Sequence, residues 1–245
     1  MSGPAPQAEM RADIDPKFLR LARERAPKNP IICDIGSRDA LEGLALLSEL
    51  NGKQLHVFEA NPSAAVICRA NIASYSAKSG CDRVAFNEVA VTDQIGELQF
   101  YPVNVSLSEN KDIGFSSLLP INPDYTKRRG KIVQDEVTVQ ATTLDAYFEG
   151  KENPDILWVD VEGAELNAFR GATRVLRSVK LIHVEVGFRP MQVGKPLFGE
   201  IETFLNAQGL RFHSFMEVST LRTFLYRHKL LPNAPWRLNA VFYRL

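Results

Sequence analysis

Cysteine is scarce in this 245-residue chain: Cys33, Cys68 and Cys81 are the only three, and no two form a C-x-x-C pair. An odd count without ligand spacing excludes a disulfide scaffold and a zinc ribbon, and fits buried thiols in a reducing compartment. No apolar run approaches the roughly 20 residues that span a bilayer. The first thirty residues are polar and rich in charge and proline, without the apolar core of a secretory signal, so a cytoplasmic location is expected. Neither sign of charge is in excess, with 29 Lys+Arg against 29 Asp+Glu, which argues against a dedicated nucleic-acid binder. No internal repeat or low-complexity linker divides the chain. With 45% hydrophobic residues it can bury one sizeable core. The expected division is a polar or helical extension over 1–30 and one domain over 31–245.

What the chain does carry is an alternation of short apolar runs with helix-like stretches, the pattern of βαβ units and a mostly parallel sheet. The first run is 31–35; a helix over 41–50 follows, stopped by Asn51-Gly52 as a left-handed cap can. The second run, 55–58, ends at Glu59, and Asn61 and Pro62 suit the cap and first position of a helix. Further strands are expected over 84–91, 96–101, 136–139, 156–159, 181–186, 210–215 and 240–243. Thr143 suits the cap of a short helix reaching Phe148. An amphipathic helix over 196–208 places Leu197, Ile201, Phe204 and Leu205 on one face, and Gly209 ends it. Residues 104–131 lack periodicity, and so long a loop is more often functional than idle. The fold class is α/β, an open doubly wound sheet flanked by helices.

In such a sheet ligands bind beyond the carboxyl ends of the strands. Asp34-Ile35-Gly36-Ser37-Arg38 closes the first strand, and Glu59 closes the second. Gly36 permits a tight turn and a close approach of backbone to ligand, and a carboxylate at Glu59 can accept hydrogen bonds from both hydroxyls of a ribose. The G-x-G-x-x-G of a dinucleotide site is missing, because Ser37-Arg38-Asp39-Ala40-Leu41 follows Gly36. Asp39 would also repel a phosphate at the helix start. S-adenosylmethionine, which has a ribose and an adenine but no phosphate, fits better, and Asp34 could meet its ammonium.

A second constellation runs from Asp155 to Glu165. Asp160, Glu162 and Glu165 fall within six residues as an apolar strand breaks into a helix. Strand alternation would place Asp160 and Glu162 on one side, while Glu165 has an ordinary reading as a helix-start residue. Glu185, near the end of the next strand, is expected close by. Such carboxylates can orient a hydroxyl, take its proton, or hold a divalent cation. Metal is the least expected of these, and His183, inside a strand, reads as a hydrogen-bonded core residue.

These residues resemble the FkbM-type family of S-adenosylmethionine-dependent methyltransferases. The likeness runs through Asp34-Ile35-Gly36, Val57-Phe58-Glu59-Ala60-Asn61-Pro62, Ala90-Val91-Thr92-Asp93, Ser116-Ser117-Leu118, Thr143-Leu144-Asp145 and, most specifically, Asp160-Val161-Glu162-Gly163-Ala164-Glu165 with Gly171-Ala172. It implies a Rossmann-like class I sheet of seven strands, one antiparallel near its end, and methyl transfer to a hydroxyl oxygen of a sugar or secondary metabolite. By the same resemblance Asp34, Gly36 and Ser37 line the methionine part of the cofactor, Glu59 holds the ribose, Ala60, Val89 and Ala90 flank the adenine, and Asp160 and Glu162 face the methyl-transfer site. Arg38, Asn61 and Asp160 complete the expected cofactor-binding set, and Glu185 joins Asp160 and Glu162 in the expected catalytic set. Two departures stand out: Ser37-Arg38 and Ala40 where the family commonly has Ala-Asn and a second Gly, and Trp158 in place of a common Lys.

The expected partner is a small-molecule or glycan acceptor, with S-adenosylhomocysteine as the cofactor product. The basic run 127–131 makes an anionic acceptor an option. The second basic group, 222–229 with Arg237, reads as solvated surface, although Phe224, Tyr226 and Trp236 interleave with it. Nucleic acid is a remote partner and a homodimer is compatible with the sequence. The competing functions are a nicotinamide-dependent oxidoreductase and a non-catalytic partner that keeps the fold.

Overall fold

The computed structural model describes residues 14–109, 111–216, 218–228, 230 and 235–245; residues 1–13 of the expected extension and Lys229 of the second basic group lie outside them. The apolar runs become strands β1 (Ile31–Ile35), β2 (Gln54–Phe58) and β3 (Val84–Asn87). The two-residue β4 (Ala90–Val91) is followed by β5 (Gly96–Phe100), β6 (Val137–Thr142), β7 (Ile156–Val159), β8 (Leu181–Gly187), β9 (Leu210–Phe215) and β10 (Arg237–Arg244). Seven of them form one sheet in the order β3-β2-β1-β7-β8-β10-β9, in which only β10 runs antiparallel to its neighbours. β4, β6 and β5 form a separate small sheet.

Every residue of β1 and β8 is buried, as continuous apolar runs covered on both faces must be. On one face α1 (Pro16–Arg25), α2 (Leu41–Glu49) and α3 (Pro62–Ser79) contribute Phe18, Leu46, Leu47 and Cys68 to a core with Leu55 and Val241. On the other, α5 (Leu144–Tyr147), α6 (Glu165–Arg170) and α7 (Phe198–Ala207) contribute Leu144, Phe169, Ile201 and Leu205 to a core with Leu157, Val184 and Phe242. The local signals hold: Asn61 accepts from the Ser63 N–H at 3.1 Å, Thr143 from the Ala146 N–H at 3.1 Å, and Asn51 stands in the left-handed region at φ 46°.

Two local expectations need correction, and one basic stretch gains an element. The run 84–91 is not one strand: after Asn87, whose side chain donates to the carbonyls of Val57 and Ala85, the chain leaves the main sheet and Ala90–Val91 pairs with β6 instead. The stretch 104–131 contains a short helix, α4 (Pro123–Arg129), capped by Asn122. The basic residues 222–227 fall on a further helix, α8 (Thr220–Arg227), capped by Ser219.

Candidate active site

The strand order reverses between β1 and β7, and the main cavity, of about 390 Å³, opens there at the carboxyl ends of β1, β2 and β7, where doubly wound sheets take their ligands. Backbone bonds align the strand ends: Gly36 and Ser37 donate to the Phe58 carbonyl, Glu59 to that of Asn87, and Asp160 to that of Ile35. The cavity gathers all twelve residues singled out in the sequence: Asp34, Gly36, Ser37, Arg38, Glu59, Ala60, Asn61, Val89, Ala90, Asp160, Glu162 and Glu185.

Gly36 is needed for a reason other than ligand approach. At φ +78° a Cβ there would stand 1.9 Å from the Asp160 carbonyl oxygen, so the missing side chain lets the end of β7 close on the end of β1. Arg38 and Ala40 also take left-handed conformations, at φ 55° and 68°. Ala40 therefore keeps the backbone of a glycine-rich turn while filling it with a fully buried methyl group, a conformation that costs an L-residue roughly 1–2 kcal/mol.

At the cofactor end, the buried Glu59 accepts from the Arg38 N–H through one oxygen at 2.8 Å and from the Asn61 N–H through the other at 2.6 Å. Each carboxylate oxygen has two acceptor sites, so both retain one for a hydroxyl donor. Burial raises the Glu59 pKa, and these N–H groups pull it back. Asp34 is buried and accepts from the Ser37 hydroxyl; burial pushes its carboxyl up to about 8. A cation beside it would restore its charge. The same cavity has an apolar lining of Ala60, Ala64, Val89 and Leu118 with Ala90 and Phe100 of the small sheet, suited to a flat ring. The loop 104–131 closes this side: Ser116 accepts from the Asn61 amide at 3.1 Å, and the Ser117 hydroxyl donates to the Glu162 carbonyl at 2.8 Å.

At the opposite end stand Asp160, Glu162 and Glu185, each offering an oxygen within 4.8 Å of the others. Their convergence is not a matter of strand alternation. β7 stops at Val159, and a left-handed Glu162 (φ 49°) followed by Gly163 (φ 109°) turns the chain back into the cavity; strained backbone of this kind collects at functional sites. Glu162 accepts from Arg237 at 3.0 Å and from Gln192 at 3.1 Å. Glu185 accepts from Lys195 at 3.3 Å and from Arg237 at 2.8 Å. The Oδ1 atom of Asp160 is buried with no hydrogen-bond partner among the described residues. Burial, then Glu185, Glu162 and Glu165, raise the Asp160 pKa well above the carboxylate range, and burial pushes Glu162 up to about 8. Glu165 opens α6 as expected, yet it is fully buried and accepts from the Gly163 N–H at 2.8 Å.

Two cations of this cluster went unrecognised in the sequence. Lys195 is a lone lysine in the 188–197 loop, with no local signal; its ammonium has 0% exposure, and although burial opposes its charge, Glu165, Glu185 and Glu162 hold its pKa above the usual range. Arg237, read as solvated surface, begins β10 and reaches both glutamates because β10 runs antiparallel to β8, pairing Arg237 with Gly187. The run 127–131 does not line the cavity, and Lys127 pairs with Asp124. Trp158 does line it; its ring stacks on His183 at 3.5 Å with 4° between planes, and Phe18 meets both edge-on. His183 is thus a core residue, but its Nδ1 has no hydrogen-bond partner among the described residues.

Comparison with known proteins adds the chemistry. Residues 34–212 match the family model described as the methyltransferase FkbM domain. A 2-O-methyltransferase, NoeI, of Sinorhizobium fredii is 28% identical over 170 residues, which cover 68% of this chain and 67% of that protein. The hexuronic acid methyltransferase AglP of Haloferax volcanii is 26% identical over 194 residues, covering 77% and 69% respectively. Among solved structures, an FkbM methyltransferase from Methylobacillus flagellatus superposes with a TM-score of 0.55 at 10% identity, over 88% of this chain and 44% of that one.

Proposed function

Since the chain belongs to the FkbM methyltransferase family, we propose that it transfers a methyl group from S-adenosylmethionine to a hydroxyl oxygen of a sugar or glycan. The observation that carries this is the pairing of a ribose-type carboxylate, Glu59, with an open carboxylate, Asp160, in one cavity. The two curated relatives, a 2-O-methyltransferase and a hexuronic acid methyltransferase, support a sugar acceptor. Free, buried Cys33, Cys68 and Cys81 support a cytoplasmic setting, and no helix among the described residues is long and apolar enough to cross a membrane.

When bound, S-adenosylmethionine supplies an electrophilic methyl group on a positively charged sulfur. Glu59 accepts from the ribose hydroxyls, the wall around Ala60, Val89 and Ala90 takes the adenine, and Asp34 meets the ammonium. Asp160 orients the acceptor hydroxyl and accepts its proton as the oxygen attacks; general-base help of this kind contributes about 10²–10⁴-fold. Glu162 and Glu185, with their oxygens already engaged, shape the site around Asp160. Holding acceptor and methyl group in line contributes the larger part, roughly 7–11 kcal/mol.

Calorimetric titration with S-adenosylhomocysteine, with NAD as control, tests the cofactor assignment. Binding of the former is expected, weakened at least about tenfold in a Glu59→Ala variant whose circular dichroism is unchanged. Binding of NAD alone would overturn the assignment.

A further inference from the structure

A single divalent ion with bonds of about 2.0–2.6 Å could be reached by three carboxylate oxygens this close. In this protein each oxygen of the two glutamates already receives a donor from Arg237, Gln192 or Lys195. One Arg237 nitrogen, Nη1, lies 3.0 Å from Glu162 and 2.8 Å from Glu185. The second oxygen of Glu162 receives Gln192, and the second oxygen of Glu185 receives Lys195. Of the three, Asp160 alone keeps a buried oxygen without a partner among the described residues. We propose that Arg237 is a built-in counter-cation that takes the place of a divalent metal in the Asp160–Glu162–Glu185 triad, tying the two glutamates together and leaving Asp160 open to the acceptor.

The fold holds the guanidinium for that task. Arg237 starts the strand that runs antiparallel to β8, so its position falls beside Gly187 at the cavity end of β8, and its guanidinium lies over the Phe115 ring at 5.6 Å. A guanidinium stays charged at any working pH and offers donors in a fixed fork. It can bridge two carboxylates permanently, where a metal would have to be recruited. Asp160's part as open base rests on the proposed methyl transfer; Arg237's place in the triad does not, and metal binding reads that place alone.

Manganese binding to the full chain, followed by electron paramagnetic resonance, is the test. Wild type is expected to bind Mn²⁺ weakly. Arg237→Met, which keeps bulk and removes charge, is expected to bind it at least about tenfold more tightly, and the gain should vanish in Arg237→Met/Glu185→Gln. Arg237→Lys, with its charge kept, should stay close to wild type. If Arg237→Met does not fold, Arg237→Gln takes its place. Wild-type binding as tight as that of Arg237→Met, and lost on Glu185→Gln, would overturn the proposal, since the triad would then hold a metal beside the arginine. Failure of every folded uncharged variant to gain affinity would overturn it too, because Arg237 would not be what keeps metal out.

Discussion

At Gly36 one absent methyl group sets how near the end of β7 can come to β1. A Cβ there would sit 1.9 Å from the Asp160 carbonyl, at a φ of +78° that L-residues rarely adopt. Gly36→Ala is therefore expected to cost more than about 3 kcal/mol, as strain and overpacking act together, measured by urea unfolding; a loss under 1 kcal/mol would show that the turn gives way freely. Asp160→Asn makes the complementary change, keeping the shape and removing the base. It should leave the affinity for S-adenosylhomocysteine within about twofold and lower kcat by about 10²-fold or more, and unchanged turnover would remove Asp160 from the mechanism. At this scale the acids were legible in the sequence, because Asp34, Glu59 and Asp160 each stand at or beside the end of an apolar run. The cations were not. Lys195 comes from an irregular loop and Arg237 from a strand 75 residues after Glu162, and only long-range pairing brings either to the cluster.

Among the elements, α1 shows how a piece outside the matched region 34–212 supports the site. Its Phe18 is fully buried and meets the stacked Trp158 and His183 edge-on, at 5.3 and 5.6 Å. Trp158 in turn lines the cavity two residues before Asp160. Phe18→Ala should destabilise the protein by about 3–5 kcal/mol and shift the tryptophan emission, with Phe18→Leu recovering part of the stability. A fully stable Phe18→Ala variant would mean that α1 is an accessory rather than part of the core. Pro16 after Asp15, which accepts from the Lys17 N–H at 2.7 Å, is a readable helix start inside the stretch expected to be polar or helical. The strand 84–91 failed differently. Its apolar content was legible, but its division between two sheets depends on Asn87 bonding to β2 and on Ala90 pairing with Ala141, neither of which is a local property.

For the molecule as a whole, the buried acids make stability a function of pH and of cofactor. Asp34 and Glu162 have carboxyls pushed up to about 8, chiefly by burial, and Asp160 is raised as well. In the unfolded chain these groups ionise near pH 4. Between about pH 4 and 8 the folded state thus holds more protons, so the stability they contribute is full below that window and lost as pH rises through the folded values. His183 and His56, lowered by burial to about 3 and about 4, act in the opposite sense up to about pH 6.5, where stability grows as pH rises. Above roughly pH 7 the histidines are largely neutral in both states and the carboxylates decide the sign. The Tm of the cofactor-free protein should therefore fall between about pH 7 and 8, each raised carboxyl costing up to about 1.4 kcal/mol per pH unit. A cofactor that brings an ammonium to Asp34 and a positive sulfur near Asp160 favours the ionised forms. The rise in Tm on adding S-adenosylmethionine should accordingly be larger at about pH 8 than at about pH 7, and larger than the rise with S-adenosylhomocysteine, which lacks the sulfur charge. Thermal unfolding at the two pH values, with each ligand and without, reads all three. Equal stabilisation by the two ligands at both values would mean that the carboxylate cluster does not face the transferred methyl group, and the role given to Asp160 would fall with it.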